Sequence, residues 1–211
     1  MNILHIDCSP RADSHSRQLS ASIVEKLLTI HPDANISRRD LGYEPIPIPH
    51  TASDYAAALA TPVTLAAIDP CGDAVRLSEH LIREIEACDV IVIGTPMNNF
   101  TIPSVLKAWI DQILRVDRTM RSTPAGKVGM LRDRPVFVGI AAGAVFAGDR
   151  ANQPDFLTPY LSAAFGCIGL NSVYYLPLQA TAFLDNTQAA EKRQLLISMI
   201  EPVMLSISDL A

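Results

Sequence analysis

The chain has 211 residues, 49% of them hydrophobic and 18% charged, with a formal net charge of −5. A chain of this length buries about 70% of its extended surface on folding and needs no disulfide or metal staple; its composition excludes a disordered, collagenous or low-complexity protein. The acidic balance argues against a general nucleic-acid binder, which carries a basic face.

Ile3–Asp7 is an apolar run that stops at Cys8-Ser9-Pro10, so the N-terminus reads as a buried strand and loop rather than a signal peptide. Ser16 is expected to cap a helix in which Leu19, Ile23, Leu27 and Ile30 recur at helical spacing, ended by Pro32. Asn35–Leu41 reads as a second strand. Residues 42–71 are irregular, with a short helix expected at Ala56–Ala60, and Gly72–Ala87 is an amphipathic helix. Asp89–Gly94 is apolar on both faces, the pattern of a parallel strand covered by helices on each side. After the loop from Thr95, Pro103 sits at a helix start, followed by Leu106, Trp109, Ile110, Ile113 and Leu114. Residues 117–134 are rich in turn signals. Pro135–Ala142 is a fourth strand, Leu157–Phe165 a helix and Ser172–Leu178 a fifth strand. Thr187–Glu201 is a terminal helix interrupted by Pro202.

Five strands alternating with five helices predict one α/β domain over 1–211, a three-layer sandwich built on a five-stranded parallel sheet. The longest apolar run, Val136 to Ala147, falls short of the ~20 residues of a membrane span. Four scattered cysteines (Cys8, Cys71, Cys88, Cys167) lack CxxC or Cys/His spacing, which points to reduced thiols, a cytoplasmic location and no metal site.

In such sheets ligands bind beyond the carboxyl ends of the strands, where strand order reverses. Three loops therefore matter: 8–16, 95–102 and 141–148. The first holds Ser9, Ser14 and Ser16 with Arg11, and ends at a helix N-terminus, whose free N–H groups attract phosphate. It has no glycine. Both the dinucleotide turn G-x-G-x-x-G and a Walker A motif are missing, so a terminal monophosphate suits this loop better. Cys8 heads no C-x5-R phosphatase loop, because Ser14 stands where the arginine belongs; a buried structural thiol is the expectation. In the second loop, Pro96, Met97, Asn98, Asn99 and Phe100 can offer backbone N–H groups and amides to the edge of a planar heterocycle and cover its face.

Pro96-Met97-x-Asn99-Phe100-x-Ile102-Pro103-Ser104-x-Leu106-Lys107-x-Trp109-Ile110-Asp111 resembles the signature of the FMN-dependent NADH-azoreductases, quinone reductases of flavodoxin-like fold. Ser9-Pro10-Arg11 with Ser14-x-Ser16 is similar to that family's phosphate loop. Asp40-Leu41 with the prolines up to Pro49, Thr158-Pro159-Tyr160-Leu161 and Gly166-x-Ile168-Gly169 extend the likeness over residues 2 to 185.

The resemblance implies a flavodoxin-like three-layer sandwich with strand order 2-1-3-4-5, FMN at a homodimer interface, NADH or NADPH as electron donor, and a quinone or, adventitiously, an azo compound as acceptor. It places Ser9, Arg11, Ser14, Ser16 and the backbone of His15 at the phosphate, and Pro96, Met97, Asn98, Asn99 and Phe100 along the flavin, with Asn99 orienting the ring. Ala141, Ala142, Gly143 and Ala144 stand where the family has Ser-Arg-Gly-Gly, so this loop is expected to offer backbone only. Asn98 replaces the usual aromatic. The cofactor carries the redox chemistry, so no side-chain nucleophile is expected. An apolar roof is expected from Met120, Phe146 or Phe165. Residues 115–134 hold six cations against Asp117 and Asp133, an excess of four charges that reads as a solvated rim or as an attractor for an anionic substrate. His5 reads as a core histidine, and His31, His50 and His80 as surface residues. Two rivals stand beside this reading: an FMN-binding electron carrier without its own small-molecule substrate, and a phosphoester hydrolase using Cys8 or His15.

Overall fold

In the computed structural model, residues 1–47 and 73–208 are described; Pro49, His50, the helix expected at Ala56–Ala60, and Cys71 lie outside them. The chain alternates β1 (Asn2–Asp7), α1 (His15–Ile30), β2 (Asn35–Asp40), α2 (Asp73–Ala87), β3 (Val90–Pro96) and α3 (Ser104–Ile113). It continues through β4 (Met120–Thr123), β5 (Gly126–Gly129), β6 (Val136–Ala141), α4 (Thr158–Ile168), β7 (Val173–Leu178), α5 (Asn186–Ile197) and α6 (Ile200–Ser208).

Five strands form a parallel sheet of order β2-β1-β3-β6-β7. The expected order 2-1-3-4-5 counted only those five. A two-stranded antiparallel hairpin, β4–β5, stands in the stretch read as turns, so the fourth and fifth strands of the sheet are the sixth and seventh of the chain. Pairing Arg121 with Val128 and Ser122 with Lys127 leaves the hairpin with little apolar alternation, which is why periodicity did not mark it.

β1 shows how alternation builds the layers. Leu4, Ile6 and Cys8 join one core with residues of α2, α3 and α4, including Trp109, which meets Phe165 edge-on at 6.4 Å between centroids. Ile3 joins the other core with Leu19, Ile23 and Leu27 of α1 and with Ile200 and Met204 of α6. Each such aliphatic side chain contributes roughly 1.5–3 kcal/mol when fully buried.

Two helix boundaries and one side chain depart from expectation. Ser14, not Ser16, caps α1: its Oγ accepts the Arg17 N–H at 3.2 Å, and Ser16 lies fully buried inside the first turn. The terminal helix is two helices, with Ser198 and Met199 between them. Pro202 does not cause the break; it sits in the first turn of α6, where a missing N–H costs nothing. Phe165 is fully buried against Trp109 and so belongs to the core, not to a roof over the loops.

Among the described residues no helix is long and apolar enough to cross a membrane, and no group of three or more His, Cys, Asp or Glu could hold a metal ion.

Candidate functional site

β1, β3 and β6 are adjacent, and their registers run Asp7 opposite Gly94 and Pro96 opposite Ala141. The three candidate loops therefore leave the same carboxyl edge side by side. Backbone bonds from Cys8 N to Gly94 O (2.9 Å) and from Met97 N to Ala141 O (2.9 Å) extend the sheet into them.

In the first loop Ser9, Ser14 and Ser16 are 3%, 8% and 0% exposed. Ser14 Oγ and Ser16 Oγ lie 3.2 Å apart, and Ser9 Oγ accepts the Arg11 N–H at 3.2 Å. Among the described residues the N–H groups of His15 and Ser16 have no acceptor, as expected of a helix's first turn. The buried Nδ1 of His15 has no partner either. Burial, and then the nearby Arg193 and Arg11 against the opposing Asp13, push His15 below its ordinary value. Arg11 itself stays at the rim, 3.4 Å from Asp13.

The loop is held from beneath by a residue that sequence reading passed over. Arg17, 7% exposed, donates from Nε and Nη2 to the Ser9 carbonyl (2.8 and 2.6 Å) and from Nη1 to Asp40 (2.7 Å), with its guanidinium 4.2 Å from the Tyr43 ring centre. Asp40 is held below the usual carboxylate range by its bond to Arg17. Where β2 leaves the sheet only glycine fits: a Cβ on Gly42 would lie 2.1 Å from the Ser9 carbonyl oxygen. The link from Arg17 to Asp40 spans 23 residues, and nothing local announces it.

Beside this strut lies a buried carboxylate. Burial pushes Asp7 up, but contacts with His5, Ser20 (2.8 Å) and Arg38 (2.8 Å) prevail and hold it at about 2. His5 is accordingly a core histidine, 3.5 Å from Asp7. Cys8 is fully buried, and burial followed by the Asp7 charge pushes its thiol well above the ordinary range. A buried thiol raised in this way is a poor nucleophile, which argues against a hydrolase built on Cys8.

Thr95 and Pro96, expected in the second loop, complete β3 instead. Beyond them Asn98 and Thr101 exchange backbone bonds (2.9 and 3.0 Å), closing a two-residue turn with Asn99 at φ 48° and Phe100 at φ 71°. Two consecutive side-chain-bearing residues in the left-handed region store backbone strain, and phenylalanine is poorly suited to it. The turn aims Phe100 outward, 44% exposed, and its carbonyl accepts the N–H of Phe156, itself 61% exposed. The asparagines cap nothing: the helix cap is Pro103, which makes no side-chain bond.

The third loop is bound by backbone. Ala142 exchanges bonds with Leu178 and Thr181, and the carbonyls of Gly143 and Ala144 accept from Ala182 and Ala180. Gln179 Oε1 then accepts the N–H groups of Phe146 (2.7 Å) and Ala147 (2.8 Å). Phe146 is buried and Met120 half-buried against the core, so both pack inward more than they overhang the cleft.

The basic stretch divides: Arg121, Lys127 and Arg132 stay exposed as a solvated rim, while the other three cations turn inward. Arg115 is buried beside Glu79 (3.3 Å), and Arg118 reaches both Glu79 (3.0 Å) and Glu86 (2.7 Å). Arg134 donates inward to the carbonyls of Ile85, Cys88 and Arg132. Arg132 lies 3.5 Å from Asp89 and Arg121 3.9 Å from Asp117.

Comparison with known proteins agrees with this architecture. The family described as having a flavodoxin-like fold matches residues 1–199. FMN-dependent NADH:quinone oxidoreductase 4 of Pseudomonas fluorescens is 44% identical over 190 residues, covering 90% of this chain and 89% of that protein. FMN-dependent NADH:quinone oxidoreductase 2 of Cupriavidus pinatubonensis is 43% identical over 182 residues, covering 85% and 86%. Among solved structures, an FMN-dependent NADH-azoreductase of Bacillus anthracis in complex with FMN superposes with a TM-score of 0.77, covering 96% of this chain and 98% of that one; at 21% identity that likeness speaks to the fold.

Proposed function

The chain belongs to the flavodoxin-like fold family, with FMN-dependent NADH:quinone oxidoreductases among its relatives, and from that premise we propose that it is an FMN-dependent NAD(P)H oxidoreductase that reduces quinones and, adventitiously, azo compounds. The observation that carries the reading is the first loop: three buried hydroxyls and two unpartnered N–H groups at a helix N-terminus form an anion cradle of phosphate chemistry. A cofactor ending in a lone phosphate fits it, and the absence of glycine disfavours a pyrophosphate.

In this reading Ser9, Ser14 and Ser16 and the backbone of His15 and Ser16 hold the phosphate, with Arg11 at the rim. The Asn98–Thr101 turn and Met97 border the ring on one side, and Asn99 orients it. Ala141–Ala144 borders it on the other side with backbone alone. When bound, FMN supplies hydride acceptance from the nicotinamide and two-electron delivery to the acceptor. The strained turn keeps Phe100 and the amides in place before either substrate arrives, which cuts the entropy lost on binding. Donor and acceptor occupy the same space in succession, a ping-pong order. The adjoining Phe100 and Phe156 suit burial against a second copy, so the working unit is a homodimer, and its location is cytoplasmic.

Two measurements test this. The purified protein is expected to be yellow and to be bleached anaerobically by NADH in a two-electron step; a colourless protein that takes up no added FMN sinks the proposal. Ser14→Asp keeps a good N-cap but sets negative charge against the phosphate. It is expected to weaken FMN binding at least 100-fold, read by the fluorescence of released flavin, with the unfolding midpoint little changed.

A further inference from the structure

A cavity of about 640 Å3 opens beside the third loop, between residues 145–150 and α5. That lies within the ~300–1,000 Å3 typical of small-molecule sites. Its walls are of two kinds. Val145, Pro177 and Leu196 form an apolar side, and Asp149, Arg150 and Lys192 bring charge.

The cavity is built rather than incidental. Besides the Gln179 clamp on Phe146 and Ala147, Val145 and Asn152 exchange bonds (2.8 and 3.1 Å), and Ala151 N–H reaches the Gly148 carbonyl at 3.0 Å. Its wall is thus the rigid continuation of Ala141–Ala144, the segment assigned above to the flavin's border. Arg150 and Lys192 make no ion pair or hydrogen bond among the described residues. In the 115–134 stretch, by contrast, every cation except Lys127 is matched to a carboxylate or to backbone carbonyls, and Lys127 bonds Ser122 in the β4–β5 hairpin.

We infer that this cavity receives the adenosine diphosphate end of the nicotinamide dinucleotide, with Arg150 and Lys192 on the phosphates. The inference rests on the function proposed above. A nicotinamide lying between the second and third loops leaves two phosphates and an adenosine to be placed. The first loop is committed to the cofactor's own phosphate and every cation of the basic stretch but Lys127, which lies on the β4–β5 hairpin, is matched, so unpaired positive charge beside the third loop remains here. Asp149 suits the ribose hydroxyls, which donate hydrogen bonds, and the aliphatic wall suits one face of the base. The donor half of the reaction then acquires a site that the acceptor, lacking phosphates, does not share.

The test uses ADP as probe, titrated by calorimetry into the protein as purified. The double variant Arg150→Gln/Lys192→Gln is expected to weaken ADP binding at least tenfold and to raise the KM for NADH about tenfold. Flavin content, kcat at saturating NADH and the KM for menadione should stay unchanged. Lys127→Gln removes an unpaired cation elsewhere and should leave ADP binding alone, which separates a local contact from net charge. Unchanged ADP binding in the double variant, or an equal loss in Lys127→Gln, overturns the assignment. If ADP binds as expected but NADH does not bleach the protein, the cavity stands and the proposed reaction falls. If NADH bleaches it with an unaltered KM in the double variant, the reverse holds.

Discussion

Residues 9–17 and 115–134 are both rich in arginine, and the structure uses them in opposite ways. In the first loop Arg17 turns inward to the Ser9 carbonyl and Asp40, and so frees the loop's hydroxyls and N–H groups to face a ligand. In the second stretch Arg115, Arg118 and Arg134 are consumed by Glu79, Glu86 and carbonyls of the chain. What decides the role of a cation is whether the fold supplies its counter-charge. A positive run in the sequence is a poor guide to an anion site; polar groups left without partners at a strand's carboxyl end are a better one.

The largest effect should come from Arg17→Met, which strands Asp40 and the Ser9 carbonyl. Breaking a buried pair in this way costs about 3–5 kcal/mol, read by urea unfolding, and flavin should be lost with it. Arg115→Met is expected to cost less, about 2 kcal/mol, because Glu79 keeps Arg118 and Arg83. It should leave FMN affinity unchanged. A loss of FMN in Arg115→Met without loss of stability would erase the contrast between the two regions.

Asp7 sharpens the contrast through pH. Its folded value of about 2 lies below the ordinary 3.8, so the folded state binds the proton more weakly than the unfolded one. The stabilisation, about 2 kcal/mol, is fully present above pH 4 and lost as pH falls through about 2. In Asp7→Asn, the slope of stability against pH over that window should flatten relative to the parent. Smallest is Cys8→Ala, expected to cost about 1 kcal/mol from the lost sulfur contact. It should alter neither colour nor bleaching by NADH; abolished activity there would reinstate the thiol as a participant.

How far the site was legible follows the range of the interactions that make it. β3 announced itself as a buried parallel strand because seven residues carry its burial pattern. The serines of the first loop were legible as a phosphate cradle because a loop, a strand end and a helix start lie within ten residues. The left-handed pair Asn99–Phe100 was not, since neither residue is a glycine and only the closed bond pair between Asn98 and Thr101 forces the conformation. Nor was the fate of Arg115: its partner lies 36 residues away on α2.

Alternating apolar residues, proline positions and the Met97–Asp111 pattern together determined the α/β class, the order of the elements and the three loops worth watching, because each depends on neighbours within a turn or two of chain. Which serine caps α1, which arginines point inward, and which cations stay unpaired beside α5 were decided only in three dimensions. Burial and counter-charge are properties of surroundings assembled from distant segments, and no local spacing encodes them.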